Sequence, residues 1–211
     1  MKKGFNVISI EANPILINKG IKRFSKYISE KKLILINKAI NNKIGLVKFY
    51  IHLTKSDWSS CDQNLAESDG SKSKEINIET TSLLELCKNF GIPRYIKVDI
   101  EGCDVMVAKQ LFYLEEKPQF VSFEISKSNY YEIFSWLFVS GYKKFQLVNQ
   151  LNNPSRKQND YKVFEKKKIE YNFTKYSSGF FGNDLSNDKW LSYERALSFY
   201  MKYKELKIID N

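Results

Sequence analysis

The stretch that decides the fold is Tyr95-Ile96-Lys97-Val98-Asp99-Ile100-Glu101-Gly102. Branched apolar side chains alternate in it with charged ones, which predicts a strand with one apolar face. Three charges on the other face are unusual, because an unpaired charge is costly to bury. Gly102 ends the strand, and residues 103–114 are predicted to form a helix. An open α/β sheet places its ligand site beyond strand ends of this kind. The alternative is an edge strand with a solvated charged face.

Length and composition favour one globular domain. The chain has 211 residues, of which 43% are hydrophobic, and its formal net charge is +10. The lysines are dispersed and no nucleic-acid-binding motif is present, so we expect no nucleic-acid partner. No apolar run reaches the length of a membrane span, and no signal peptide is recognisable, so we expect no membrane association. The odd, scattered cysteines favour free thiols in a reducing compartment, and we expect a cytoplasmic protein.

The first part of the chain predicts a β-α-β unit. An apolar strand over residues 5–10 is followed by a segment in which Asn13 suits a helix cap and Pro14 a first helical turn. Apolar residues then recur at helical spacing over residues 15–28, and residues 33–36 form a second apolar run. This order predicts two parallel strands joined by a right-handed helical connection.

The remaining elements are predicted from the same periodicities and from turn residues. Residues 54–74 form a long loop around Trp58, which is either functional or a surface excursion. Phe180 and Phe181 lie in a glycine-punctuated loop and either line a pocket or pack. The predicted strands are 46–53, 75–80, 119–125 and 142–149, with a partly extended segment at 161–173. The predicted helices are 83–89, 129–140 and 193–206.

Several stretches taken together resemble the FkbM family of S-adenosylmethionine-dependent methyltransferases. They follow the family's order and approximate spacing, they cover most of the chain, and the Lys-x-Asp-x-Glu-Gly strand is the most specific of them. The stretches are Ile10–Pro14, Asn37–Ile40 followed by Gly45, Ser56–Ser60, Thr81–Leu83, Ile96–Gly102, Phe123–Ile125, and Ser177–Gly182 with Trp190-Leu191.

The resemblance implies an α/β, Rossmann-like class I methyltransferase fold, with a mostly parallel sheet flanked by helices. It implies a single domain over residues 1–211, with a core at 5–150 and a C-terminal extension at 151–211. The cofactor would be S-adenosyl-L-methionine. The acceptor would be a small molecule or glycan, methylated on a hydroxyl of a sugar or another small metabolite.

One departure from the family pattern concerns the first strand. Such methyltransferases begin with a strand that ends in an acid and a glycine-rich turn, whereas this chain begins at what resembles the second strand. Two alternatives stay open: the first strand is encoded upstream, or the protein lacks it. In the second case the protein would be a non-catalytic remnant that acts as an interaction or glycan-binding module. A missing strand would also leave neighbouring strand edges unpaired.

The predicted cofactor contacts lie at the ends of the first strands. Glu11 can accept hydrogen bonds from ribose hydroxyls, or it can be an acid stabilised by a helix dipole. Asn37 is expected to contact the edge of the adenine and Ala39 its face, unless both are ordinary turn residues. Ser59 is expected to close over the cofactor. Trp58 beside it is expected to pack.

The predicted reacting end is formed by Asp99 and Glu101. These carboxylates could orient the acceptor or take the proton of its hydroxyl group. Glu124 at the end of the next strand is a predicted acceptor contact. Lys97 is a second candidate contact, although an internal ion pair with Asp99 or Glu124 is the favoured role. No metal site is predicted, and the single histidine, His52, is expected to be structural or exposed.

Overall fold

The computed structural model describes residues 1–155, 171–174 and 177–205. Its strands are β1 (Val7–Ile10), β2 (Leu33–Ile36), β3 (Ala39–Ile40), β4 (Leu46–His52), β5 (Ser73–Thr81), β6 (Tyr95–Val98) and β7 (Phe120–Phe123). Its α-helices are α1 (Pro14–Arg23), α2 (Ser25–Ser29), α3 (Gln63–Ala66), α4 (Leu83–Phe90), α5 (Asp104–Tyr113), α6 (Tyr130–Val139) and α7 (Tyr193–Glu205). Most of the extended segment predicted over residues 161–173, and the predicted last residue of the final helix, lie outside the described residues.

Parallel pairing dominates the described strands. β1 runs parallel to β2 and β6 runs parallel to β7. β5 pairs in parallel with β3 and antiparallel with β4, which gives the predicted hairpin strand its partner. The fold is therefore α/β with small, mostly parallel sheets. Among the described strands, β1 pairs only with β2 and β6 only with β7, so the predicted sheet is present as separate pieces.

The start of α1 shows how the sequence sets a helix boundary. Asn13 Oδ1 accepts a hydrogen bond from the backbone N of Ile15 at 2.9 Å. Pro14 follows in the first turn, where no backbone donor is needed. The single helix predicted over residues 15–28 is wrong, because Phe24 leaves the helical conformation (φ −111°, ψ 17°) and separates α1 from α2.

The larger hydrophobic core lies where α4, α5, α6 and α7 pack against β6 and β7. Gln110 of α5 is buried there with its amide satisfied. Its Oε1 accepts from the backbone N of Leu83 at 2.6 Å, and its Nε2 donates to the backbone O of Asn41 at 3.1 Å. None of the described helices combines the length and apolar character needed to cross a membrane.

The strand predicted over residues 142–149 is wrong. Only Phe145 pairs there, in an isolated antiparallel bridge with Leu191. The aromatic side chains that suggested a strand are used for packing: the Phe145 ring stacks on the Phe134 ring, with centroids 5.4 Å apart. Tyr142 donates its hydroxyl to the backbone O of Pro118 at 2.8 Å. An irregular segment satisfies these contacts without a sheet partner.

A C-terminal segment around Phe181 closes the amino ends of β1 and β6. The Phe181 ring stacks on Tyr95, the first residue of β6, with centroids 4.5 Å apart. Its other neighbour is Phe5, just before β1, at 5.7 Å. Asp184 in the same segment forms a buried ion pair with Lys3. This segment therefore packs at the end of the strands opposite to Asp99, which favours packing over a pocket for the two phenylalanines.

Replacing Phe181 by Ala should destabilise the protein. Loss of a half-buried ring that touches two strand pairs should cost about 2 kcal/mol of unfolding free energy. Phe112→Ala is the matched control: Phe112 is 45% exposed at the end of α5, so its loss should cost about 0.5 kcal/mol. Urea unfolding measures both values. Equal costs would contradict the role assigned to Phe181.

Candidate active site

The carboxyl ends of β1 and β6 meet a common segment, Ser56–Ser60. Beyond β1, Asn13 Nδ2 donates to the backbone O of Ser56 at 3.1 Å and to Ser59 Oγ at 3.3 Å. Beyond β6, Ser60 Oγ donates to the backbone O of Glu101 at 2.8 Å. The residues that follow β1 and β6 therefore contact the same segment, and this places the two strand ends on the same side of the molecule.

His52 holds the Ser56–Ser60 segment from its buried side. Its ring is buried, and Nδ1 accepts from the backbone N of Thr54 at 3.2 Å and of Lys55 at 3.0 Å. The acceptor role of Nδ1 assigns the proton to Nε2, which lies 3.2 Å from Asp69 Oδ1. The histidine is therefore structural. Trp58 packs edge-on against it and carries the Lys55 ammonium 3.7 Å above its ring centroid.

Glu11 and Asn37 lie side by side at the ends of β1 and β2. Glu11 Oε1 accepts from the backbone N of Asn13 at 2.7 Å. Burial raises the pKa of Glu11, although hydrogen bonds from the backbone of Asn13 and Ala12 oppose the shift. Asn37 Nδ2 donates to the backbone O of Glu11 at 2.9 Å and of Ala12 at 3.0 Å. The two predicted cofactor residues are thus held together by backbone contacts.

Ala39 and Ser59 have packing roles in this structure. Ala39 is 4% exposed and belongs to a core cluster with Phe49 and Ile78, so little of it faces solvent. Ser59 is 8% exposed. Its hydroxyl accepts from Asn13 and from the backbone N of His52 at 3.1 Å, and it donates to the backbone of the preceding turn. Cofactor contact by either residue stays a prediction.

Three acids converge beyond β6 and β7. Val98 is opposite Phe123 in the parallel register, so the next residues, Asp99 and Glu124, emerge side by side. One carboxylate oxygen from each of Asp99, Glu101 and Glu124 lies within 4.8 Å of the others, and all three residues are exposed. Lys97 forms an ion pair with Asp99, which is the role that the sequence favoured for this lysine.

The proximity of the acids separates their pKa values. The hydrogen bond to Asp99, followed by partial desolvation of the carboxyl group and repulsion from neighbouring acids, raises the pKa of Glu124 to about 7. Partial desolvation would raise the pKa of Asp99, but hydrogen bonds from Glu124 and Lys97 outweigh it and lower that pKa. Glu124 therefore carries the shared proton below neutral pH and Asp99 stays ionised. A carboxyl group that titrates near neutral pH is suited to general acid–base chemistry.

The spacing of the three carboxylates would also suit one hard cation. Among the described residues, these three form the one group of acids close enough together to hold an ion. Exposed acidic clusters are common without an ion, so the grouping by itself does not define a metal site.

The backbone of the turn after β6 is unusual. Glu101 has φ +46° and Gly102 has φ +96°, both in the left-handed region. A Cβ on Gly102 would lie 2.2 Å from Leu65 Cδ1, so a side chain there would require the exposed Leu65 side chain to move. For a non-glycine residue this conformation costs free energy, and such strain often accompanies functional sites.

The burial of one acid and the pairing of two thiols at the site were not predicted from the sequence. Asp104 is buried at the start of α5, where its Oδ1 accepts from the backbone N of Ile100 at 3.3 Å and burial raises its pKa. The thiols of Cys61 and Cys103 interact with each other. This contact raises the pKa of Cys61 and lowers that of Cys103. No local pattern signals these thiols as a pair, because they come from separate segments.

Comparison with known families identifies the chain. The model of the methyltransferase FkbM domain matches residues 1–163, so the chain belongs to the FkbM methyltransferase domain family. No curated protein and no solved structure matches it. The family supports methyl transfer as the general activity.

The backbone strain at Glu101 can be measured with two substitutions. Glu101→Gly and Glu101→Ala both remove the carboxylate, but only alanine retains the cost of a left-handed conformation. We expect the glycine variant to be more stable by about 1 kcal/mol, a difference measured by urea unfolding. An alanine variant as stable as the glycine variant would contradict the strain.

The shared proton predicts an anomalous titration. Carbon-13 NMR of the side-chain carboxyl groups should show Glu124 titrating near pH 7. In Asp99→Asn the charge that holds the proton is lost, so the pKa of Glu124 should fall towards its ordinary value. Asp188→Asn, an exposed acid remote in sequence from the cluster, serves as control and should leave the titration unchanged. A wild-type Glu124 with an ordinary pKa would contradict the pairing.

Proposed function

We propose that this chain is a Rossmann-like, S-adenosylmethionine-dependent methyltransferase that methylates a hydroxyl group of a sugar or another small metabolite. The carrying observation is the pair of neighbouring acids Asp99 and Glu124 at the strand ends of a chain that belongs to the FkbM methyltransferase domain family. The family covers methyl transfer in general. We propose in addition that the cofactor is S-adenosyl-L-methionine and that residues 1–211 form one domain.

The residues beyond β1 and β2 fit the nucleoside end of the cofactor. Glu11 Oε1 accepts a hydrogen bond from the backbone N of Asn13. This bond orients the carboxylate and leaves it able to accept further hydrogen bonds. A carboxylate held at a strand end can accept hydrogen bonds from two ribose hydroxyls. Asn37 beside it adds an amide that can contact the base. The bound cofactor would supply an electrophilic methyl group. Ser59 acts as a positioning residue through Asn13.

The acid cluster supports a hydroxyl acceptor, because a hydroxyl group must lose a proton when its oxygen is methylated. Glu124 is the best suited base, since its pKa of about 7 makes it a competent proton acceptor near neutral pH. Asp99, kept ionised by Lys97, is suited to orienting the hydroxyl group. Glu101 adds a third carboxylate, which can accept a hydrogen bond from the same hydroxyl group. In this proposal Glu124, and not Asp99, is the base.

The other parts of the proposal rest on charge and on thiols. Dispersed lysines support a small-molecule or glycan acceptor and argue against nucleic acid. The three cysteines are free thiols, which supports a reducing, cytoplasmic location. The rival function, a non-catalytic interaction or glycan-binding module, needs neither a nucleoside contact at Glu11 nor an acid pair of this kind.

Calorimetry with S-adenosylhomocysteine tests the proposal. The wild-type protein should bind it, and Glu11→Gln should weaken binding by about tenfold, because a charge-assisted hydrogen bond to ribose is lost. Glu116→Gln is the matched control: this exposed acid precedes β7, at the opposite end of the strands, and its loss should leave affinity unchanged. Absence of binding at about 1 mM ligand, or equal affinity of all three proteins, would contradict the proposal.

A further inference from the structure

Two free thiols lie together beside the acid cluster. Cys61 directly follows Ser60, whose hydroxyl bonds to the backbone of Glu101 at 2.8 Å. Cys103 directly follows Gly102, against which Leu65 packs. These two flanking contacts hold the loop after β4 against the turn after β6. They bring the Cys61 and Cys103 thiols next to each other, and the interaction between the thiols shifts their pKa values in opposite directions.

The environment of the pair differs from that of the third cysteine. Cys61 and Cys103 are both partly exposed, whereas Cys87 is buried in the core on α4. A small oxidant can therefore reach the pair more readily than Cys87. Cys103 also occupies the cap position of α5, a helix of 10 residues, and a helix N-terminus favours a thiolate.

We infer that Cys61 and Cys103 form a reversible, intramolecular disulfide that locks the Ser56–Ser60 segment to the turn carrying Asp99 and Glu101. The contact between the thiols and the two flanking contacts carry this inference. It does not depend on the methyltransferase activity.

The chemistry requires a peroxide as oxidant. The Cys103 thiolate attacks one peroxide oxygen, the O–O bond breaks, and the product is a sulfenic acid with water as the leaving group after protonation. The sulfur of Cys61 then attacks the sulfur of Cys103. Its proton leaves with the displaced hydroxide as a second water. The two sulfurs lose two electrons in total, which reduce one molecule of hydrogen peroxide. A dithiol reductant reverses the reaction.

The disulfide would restrict the candidate site. The Ser60 hydroxyl bonds to the β6 turn and Leu65, a few residues further on, packs on Gly102, and contacts of this kind can open locally. A covalent link beside these contacts prevents that opening. Oxidation should therefore protect the exposed loop residues Lys55 and Lys72 from trypsin, with a decrease in the cleavage rate of about tenfold.

The test uses the full chain treated with an equimolar amount of hydrogen peroxide. Intact mass spectrometry should show a loss of about 2 Da, the two thiol hydrogens, reversed by dithiothreitol. Peptide mapping without reduction should give a linked pair containing Cys61 and Cys103. In Cys61→Ser, dimedone should trap a sulfenic acid on Cys103, while Cys87→Ser is the matched control and should form the disulfide as the wild type does.

Three outcomes would overturn the inference. They are a linked peptide that contains Cys87, a disulfide-linked dimer in place of the internal link, and separate oxidation of both thiols without any link. The mapping is performed on the wild-type protein, so the decision does not depend on the folding of any variant.

Discussion

The hydroxyl groups of Ser59 and Ser60 are the contacts on which the site depends. The strand pairs β1–β2 and β6–β7 share no ladder, so sheet hydrogen bonds do not fix one against the other. Ser59 connects to the first pair through Asn13, and Ser60 connects to the second through Glu101. Because buried His52 accepts hydrogen bonds from the backbone of Thr54 and Lys55, it helps to fix the turn that connects the two strand pairs.

Local features of the fold could be predicted because their causes are local. The cap formed by Asn13, the alternation in β6, and the parallel pairing of β1 with β2 each follow from neighbouring residues. The placement of acids at strand ends could be predicted for the same reason. Their convergence required one further fact, the register of Val98 opposite Phe123, which brings Asp99 beside Glu124 and raises the pKa of the latter.

Features that depend on contacts between distant segments could not be predicted. Residues 142–149 alternate as a strand does, yet their rings fill space between helices and find no sheet partner. Ala39 has the size expected of a flat wall for a base, but it is buried by Phe49 and Ile78. The thiols of Cys61 and Cys103 meet only because two loops pack together. In each case the contact is made with a residue remote in sequence, so the local sequence pattern does not indicate it.

The segment around Phe181 has a practical consequence. It lies beyond residue 163, where the match to the family ends, yet its ring covers Phe5 and Tyr95 at the base of two strands. A truncated protein designed from the family boundary would uncover both aromatic surfaces and remove the carboxylate that neutralises Lys3. Such a fragment would tend to self-associate, so the family boundary is a poor guide to where this protein can be cut for expression.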